Sequence, residues 1–335
     1  MNPSSPLLSV SRLTVEFKTA RGTVVANNAL SLSVGAGETL GVVGESGSGK
    51  SVLCRALLGL LPSPPASVRA DEIRFAGRDL ATASARELRA VRGQDIAMVF
   101  QNPMSSLNPV WPIGDQVAEG LRVHKGFSRA QSREAAIAVL KRVGIPSPEI
   151  RVDDYPYQWS GGMMQRAVIA MAMVNEPKLL LADEPTTALD VTIQDQILSL
   201  LMELQRETGM AIILVSHDMS VISETCDRVA VMYAGHIVET GSTADIFRRP
   251  AHPYTHGLLR SIPHVHGRVG KLASIPGQPP DLATLAPGCP FAERCAVASV
   301  ECRSRPIVLT PVDGAHQTAC FFPERIAELD RKLAS

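Results

Sequence analysis

Apolar and polar residues roughly alternate from Leu7 to Phe17 and again from Thr23 to Val34, the period of strands buried on one face. The pattern predicts an antiparallel, β-rich opening. Thr39-Leu40-Gly41-Val42-Val43 is instead a nearly unbroken apolar run and predicts a buried strand, and Val52 to Leu61 predicts an apolar helix that Pro62-Ser63-Pro64-Pro65 ends. A short strand is predicted around Ile73 to Phe75, a brief helix over Arg86 to Val91, and a buried strand over Ile96 to Phe100. From about Asn102 to Trp159 helical periodicity replaces the strand signals, most plainly over Arg129 to Val143, which predicts a helical insertion in an α/β core. Leu179 to Ala182, Ala211 to Val215 and Val229 to Met232 then alternate with helical stretches such as Ile193 to Glu207, the order of a parallel sheet with crossover helices. Beyond about Thr243 the composition turns to Pro, Gly, His and Cys, with little periodicity until Glu324 to Leu333. That tail is expected to be a second, weakly cored unit in need of a staple.

Composition narrows the function classes. The chain has 335 residues with 33 basic and 33 acidic side chains, so no net field marks a nucleic-acid partner. Its longest nearly apolar stretches, such as Ala167 to Val174 and Ala211 to Val215, fall short of the roughly 18 residues of a membrane span. Met1 to Pro6 lacks the basic patch and apolar core of a signal peptide, which predicts a cytoplasmic chain. In that reducing compartment six cysteines read as core residues or metal ligands, and Cys54 and Cys226, within or beside apolar helices, read as core.

The chemistry begins at Gly44-Glu45-Ser46-Gly47-Ser48-Gly49-Lys50-Ser51, which fits the phosphate-binding pattern G-x-x-x-x-G-K-[ST] at every fixed position. A glycine turn points backbone N–H groups at phosphate oxygens, Lys50 adds a point charge, and Ser51 offers a hydroxyl to Mg²⁺. Hydrolysis also needs a metal-holding carboxylate and a group that orients water. Leu179-Leu180-Leu181-Ala182-Asp183-Glu184 supplies both: Asp183 ends an apolar strand where it can hold Mg²⁺ through water, and Glu184 is placed to act as general base. A second anion site is predicted at Ser160-Gly161-Gly162, an N-cap serine and two glycines ahead of an apolar helix over Met164 to Asn175.

Taken together, these residues resemble the ATPase subunit of an ATP-binding cassette (ABC) transporter. Ser160-Gly161-Gly162 resembles the centre of the signature Leu-Ser-Gly-Gly-Gln, with departures at Trp159 and Met163 and with Met164 where close relatives often carry Arg. Pro185-Thr186-Thr187-Ala188-Leu189-Asp190 follows the acid pair, Ser216-His217-Asp218 follows the next strand, Val99-Phe100-Gln101 matches the glutamine loop, and Phe17 matches the aromatic that stacks on adenine. The resemblance implies an α/β P-loop NTPase cassette over residues 1–245, with a mixed sheet core, an antiparallel β subdomain, a helical subdomain at about 102–165, and a small irregular extension over 246–335. It implies that Gly44, Glu45, Ser46, Gly47, Ser48, Gly49, Lys50 and Ser51 bind the phosphates of ATP, that Ser51, Gln101 and Asp183 serve Mg²⁺, that Glu184 polarises water, and that His217 contacts the γ-phosphate. Ser160 to Gly162 would reach the ATP held by a second ATPase subunit, with Asp190 along that interface.

The tail carries a closer resemblance. His252-Pro253-Tyr254-Thr255-His256-Gly257-Leu258-Leu259-Arg260-Ser261-Ile262-Pro263, Ile275-Pro276-Gly277-Gln278-Pro279-Pro280 and Gly288-Cys289-Pro290-Phe291-Ala292-Glu293-Arg294-Cys295 are similar to the C-terminal extension of oligopeptide and dipeptide importer ATPases. His252, His256, His264 and His266 read as turn and helix residues rather than metal ligands. Cys289, Cys295, Cys302 and Cys320, separated by five, six and seventeen residues, could ligate a [4Fe–4S] cluster or a zinc, though zinc usually shows closer pairs, or remain free thiols. The pattern resembles the cysteine-rich end of dipeptide-importer ATPases, some of which carry a [4Fe–4S] cluster, and that resemblance implies the cluster here. The implied assembly is a peripheral ATPase on the cytoplasmic face of the membrane. Its partners would be two permease subunits, a periplasmic or extracellular substrate-binding protein, and a second ATPase, expected to form a heterodimer. The same family includes nickel, sugar and antimicrobial-peptide importers. An ABC ATPase of DNA repair or translation would carry long coiled-coil arms or two cassettes, whereas this sequence has one phosphate loop and no sustained heptads.

Overall fold

The computed structural model describes residues 5–187, 189–262, 275–327 and 329. Ala188, His264, His266 and part of the Glu324 to Leu333 stretch lie outside them. The chain divides into two compact units: one draws on Met1–Leu7, Val34–Glu38 and Thr82–Val215, the other on Leu8–Ser33, Thr39–Ala81 and Ser216–Ser335.

The second unit holds the β-rich opening. Leu8–Thr19 lies beside Gly22–Val34 and pairs antiparallel with Ala66–Arg69 and Glu72–Phe75. Its buried positions run Leu8, Val10, then Leu13, Val15. The alternation slips by one residue at Arg12, whose φ of 50° lies in the left-handed region, so both halves of the strand face the core despite the shifted apolar phase. A second set of strands runs Thr310–Asp313, His316–Thr318, His236–Ser242, Arg228–Tyr233, Thr39–Val43. Thr39–Val43 is parallel to Arg228–Tyr233 and buried at all five positions, as an unbroken apolar run requires.

In the first unit Ile96–Val99, Leu179–Asp183 and Ala211–Ser216 pair in parallel, again almost wholly apolar. The insertion is helical as expected, with Ile113–Lys125, Arg129–Arg142 and Gly161–Met173. Local chemistry sets their ends. Ser128 and Gln131 form a capping box, and Gly126 terminates the preceding helix at φ 67°. The helix expected to begin at Met164 begins at Gly161, because Ser160 caps Met163 and draws the glycine pair into the first turn.

The tail is better built than its composition suggests. His316–Thr318 adds to His236–Ser242, and Thr310–Asp313 adds to His316–Thr318, both antiparallel. Under this pairing Glu239 and His316, at 0 % and 1 % side-chain exposure, meet at 2.8 Å, while Ala251 N donates to the same Glu239 Oε1 at 2.6 Å. Tyr254 is fully buried against Tyr233 and Phe291, with ring centroids 4.6 and 5.4 Å away. These contacts join positions far apart in sequence, which is why periodicity did not reveal them.

Truncating His316 removes one of the two hydrogen bonds to the buried Glu239 Oε1. His316→Ala is expected to cost about 1–3 kcal/mol, read as a lowered Tm; an unchanged Tm would show that the clasp contributes nothing.

Candidate functional site

The phosphate loop joins the buried strand Thr39–Val43 to the helix Lys50–Leu57 in the second unit. Close packing explains two of its glycines. A Cβ on Gly44 would stand 2.1 Å from Met232 O, and one on Gly49, at φ 101°, would stand 2.3 Å from Ala26 O. Asn27 Nδ2 donates to Gly49 O at 3.1 Å, and Gly235 N to Ser48 O at 3.0 Å. Lys50 is 4 % exposed and donates to Gly44 O at 2.6 Å, Glu45 O at 3.0 Å and Ser48 Oγ at 3.4 Å. Its ammonium therefore sits within the loop's own curve, at the N-terminus of a helix, where an anion is favoured. Ser46 and Gly47 are exposed along the loop, and Ser51 is half-buried.

The acid pair ends the strand Leu179–Asp183 in the first unit. Asp183 is 1 % exposed. Glu184 has φ 47°, a left-handed backbone that costs a residue with a Cβ about 1–2 kcal/mol. The conformation is held from three sides: Glu184 N donates to Val215 O at 3.1 Å, and its Oε2 accepts from Gln101 Nε2 at 3.0 Å and Thr187 Oγ1 at 2.8 Å. Gln101 and Glu184, 83 positions apart, are thus brought together. With Nε2 turned to Glu184, the amide oxygen of Gln101 is the atom left for a cation. Amide and carboxylate oxygens, as on Gln101 and Asp183 of this unit, are the hard donors that Mg²⁺ takes.

Also in the first unit, Ser160 and Gly161 are exposed at the start of their helix. A Cβ on Gly162 would stand 3.1 Å from Ile193 Cγ2, and one on Gly161 3.7 Å from Leu189 Cδ2, so this turn packs beside the segment that leads to Asp190. Asp190 occupies the N-cap of Val191–Thr208, is exposed, and makes no side-chain cap bond. Trp159, where the signature departs, is buried and donates from Nε1 to Asp154 at 3.0 Å, so it anchors the turn. In the second unit Phe17 is half-buried on Leu8–Thr19 opposite Ala66, and His217 is exposed after the strand Ala211–Ser216.

Sequence reasoning missed Arg294 and Tyr254, which lie over 200 positions from the loop they touch. Tyr254 Oη accepts from Glu45 N at 2.7 Å, and Arg294 meets both Glu45 carboxylate oxygens, at 2.6 and 3.0 Å. The visible signal was Arg294 in a Cys-rich segment, and nothing near it in sequence pointed to a phosphate loop.

Cys289, Cys295, Cys302 and Cys320 line one narrow pocket with His252, Phe291, Phe321 and Phe322. Among the described residues no three His, Cys, Asp or Glu side chains stand close enough to hold a single metal ion. The described residues therefore present no preformed metal site, and this weighs on the expected [4Fe–4S] cluster as much as on zinc. His252 Nδ1 accepts from Tyr254 N at 3.1 Å, which places its proton on Nε2, 4.0 Å from Cys289 Sγ. Burial holds His252 neutral, its pKa down to about 3. Cys54 and Cys226 are buried, as expected of core thiols. No helix among the described residues is long and apolar enough to cross a membrane.

Residues 27–187 match the ABC transporter family, and residues 238–302 match the oligopeptide/dipeptide transporter C-terminal region. The chain is 48 % identical over 322 residues to the dipeptide transport ATP-binding protein DppD of Bacillus subtilis, covering 96 % of each. It is 45 % identical over 317 residues to the protein of the same name from Escherichia coli, covering 95 % of this chain and 97 % of that one. Among solved structures it is similar to the dimeric post-hydrolysis state of the ATP-binding cassette MJ0796 bound to ADP and Pi, with a TM-score of 0.63 and 27 % identity over 70 % of this chain and 98 % of that one. It is also similar to cbiO1 from Clostridium perfringens, part of the ABC transporter complex cbiONQ, with a TM-score of 0.60 and 31 % identity over 73 % and 91 %.

Burial pushes the Cys289 thiol up to about 12 and the Cys320 thiol up to about 11. Folded values above the unfolded value of about 8.5 mean that the stability these thiols contribute is present below roughly pH 8.5 and is lost as pH rises through 11 to 12. In the metal-free folded protein, iodoacetamide at pH 8 is expected to alkylate both at least roughly tenfold more slowly than in the unfolded chain. Equal rates in the two states would contradict this burial.

Proposed function

The chain belongs to the ATP-binding subunits of ABC transporters of the oligopeptide/dipeptide importer family, and we propose that it hydrolyses ATP to drive peptide uptake through a membrane permease. The observation that carries the peptide reading is the C-terminal match over residues 238–302, which lies outside the hydrolytic core and so distinguishes importer type rather than mere ATPase chemistry. The domain division follows the same reading, with the cassette over 1–245 and the extension over 246–335.

The proposed roles follow the local geometry. Gly44 to Ser51 bind the phosphates through backbone N–H groups and Lys50, and Phe17 stacks on adenine. Ser51, Gln101 and Asp183 would hold Mg²⁺, which when bound would neutralise charge on the phosphates. Glu184 is held at one rotamer by Gln101 and Thr187 and accepts the proton of the attacking water, and His217 contacts the γ-phosphate. Ser160, Gly161 and Asp190, exposed on the first unit, and the half-buried Gly162 face the ATP of a second cassette, so that two nucleotides close a dimer and hydrolysis reopens it. The dimeric ADP-bound state of the cassette MJ0796 supports that reading. The second cassette is a different chain of the same family. Two permease subunits and an external substrate-binding protein complete the assembly, and the chain sits peripherally on the cytoplasmic face. Met104, Val110 and Trp111, apolar yet exposed just beyond Gln101, are the surface offered to the permease.

The four-cysteine pocket is proposed to hold a [4Fe–4S] cluster. What supports the reading is that the four thiols line one pocket between aromatic walls, with His252 Nε2 4.0 Å from Cys289 Sγ. When bound, the cluster would tie residues 289–320 together through their sulfurs.

Glu184→Gln is expected to retain ATP binding while turnover falls by roughly 10²-fold or more and the closed dimer accumulates, seen by gel filtration with ATP; normal turnover would exclude Glu184 as the base. Anaerobically purified protein is expected to be brown with about four irons per chain. A colourless preparation with bound zinc would remove the cluster from this account.

A further inference from the structure

Glu45 is the one carboxylate within Gly44–Ser51, and it places a negative charge where a triphosphate must bind. With Lys50 alone the loop's side chains sum to zero. Arg294 changes that sum, and its surroundings show a built site rather than a chance contact. Its side chain is 6 % exposed, and all five of its N–H donors are used. Nη1 and Nη2 donate to Glu45 Oε2 and Oε1, Nη1 also to Tyr233 Oη at 3.2 Å, Nη2 also to Ile275 O at 3.4 Å, and Nε to Pro276 O at 2.8 Å. Burial opposes its charge, but the bonds to Glu45 and Tyr233 outweigh burial and raise its pKa further. Phe291 and Tyr233 cover the guanidinium at 5.8 and 5.7 Å from their centroids. Tyr254 secures the backbone of the same residue by accepting from Glu45 N.

We propose that Arg294 is a positioning residue for the nucleotide: it anchors Glu45 and cancels its charge, so that the phosphate loop meets a triphosphate with a net positive face. Arg294 precedes Cys295, and Phe291 walls both the guanidinium and the cysteine pocket. The tail is thereby a working part of the ATP site. The inference rests on Gly44–Ser51 being the phosphate loop and would not otherwise arise.

The test is Mg-ATP affinity of the full-length protein by calorimetry, with kcat and KM where turnover is measurable. Arg294→Met is expected to weaken ATP binding roughly ten- to thirtyfold, a deficit that shrinks as salt is raised from roughly 0.05 to 0.5 M, with kcat changed far less than KM. Arg294→Lys, which keeps the charge but not the fork, should recover most of the affinity. The double variant Glu45→Gln/Arg294→Met should bind ATP more tightly than Arg294→Met alone. Wild-type affinity in Arg294→Met, or a double variant as weak as the single at every salt concentration, would overturn the proposal. If Arg294→Met does not fold, Glu45→Gln decides: affinity within about twofold of wild type or tighter supports it, and a tenfold loss overturns it. Lys50→Ala, run alongside, tests the loop separately; unchanged ATP affinity there would overturn the loop assignment and this inference together.

Discussion

A phosphate loop works only if its backbone N–H groups converge on one point and stay available for a ligand, and the second unit is packed to keep Gly44–Ser51 in that state. Backbone carbonyls of Met232 and Ala26 press on it so closely that Gly44 and Gly49 admit no side chain. Asn27 and Gly235 hold its outward polar groups, and Tyr254 takes the N–H of Glu45. Each contact removes a way for the loop to collapse onto itself. The ordering cost is met during folding, so binding does not meet it again.

The acid pair answers a different constraint with the same means. A strand end would let Glu184 turn freely, but its left-handed backbone aims the side chain and three hydrogen bonds hold it there. Thr187 comes from the turn after the acids and Gln101 from a separate strand end, so the carboxylate's direction is set by two segments. A hydrolytic residue gains from such preorganisation, because the orientation need not be found again at each turnover.

The tail shows why composition misleads when contacts are distant. Rich in Pro, Gly and Cys, it read as a weakly cored appendage. Yet a three-residue strand, His316–Thr318, joins the sheet, a buried Glu239–His316 pair clasps the join, and Tyr254 and Phe291 fill the space beneath. Three residues are too few to show a period, and burial of a hydrogen-bonded pair leaves no local mark in the sequence.

The sequence by itself determined what is local: the glycine turn and its lysine, the apolar runs that must become buried parallel strands, the serine caps that start helices, the acid pair at a strand end, and the spacing that relates the chain to ABC importer ATPases. These follow from covalent spacing and short-range hydrogen bonding, which act over a few residues. Only the tertiary structure decided that Gln101 meets Glu184, that Arg12 shifts the phase of its strand, that four distant cysteines face one pocket, and that Arg294 and Tyr254 reach back to Glu45. Such pairings are chosen by packing and by the need to satisfy buried polar groups, and packing compares segments that the sequence keeps far apart.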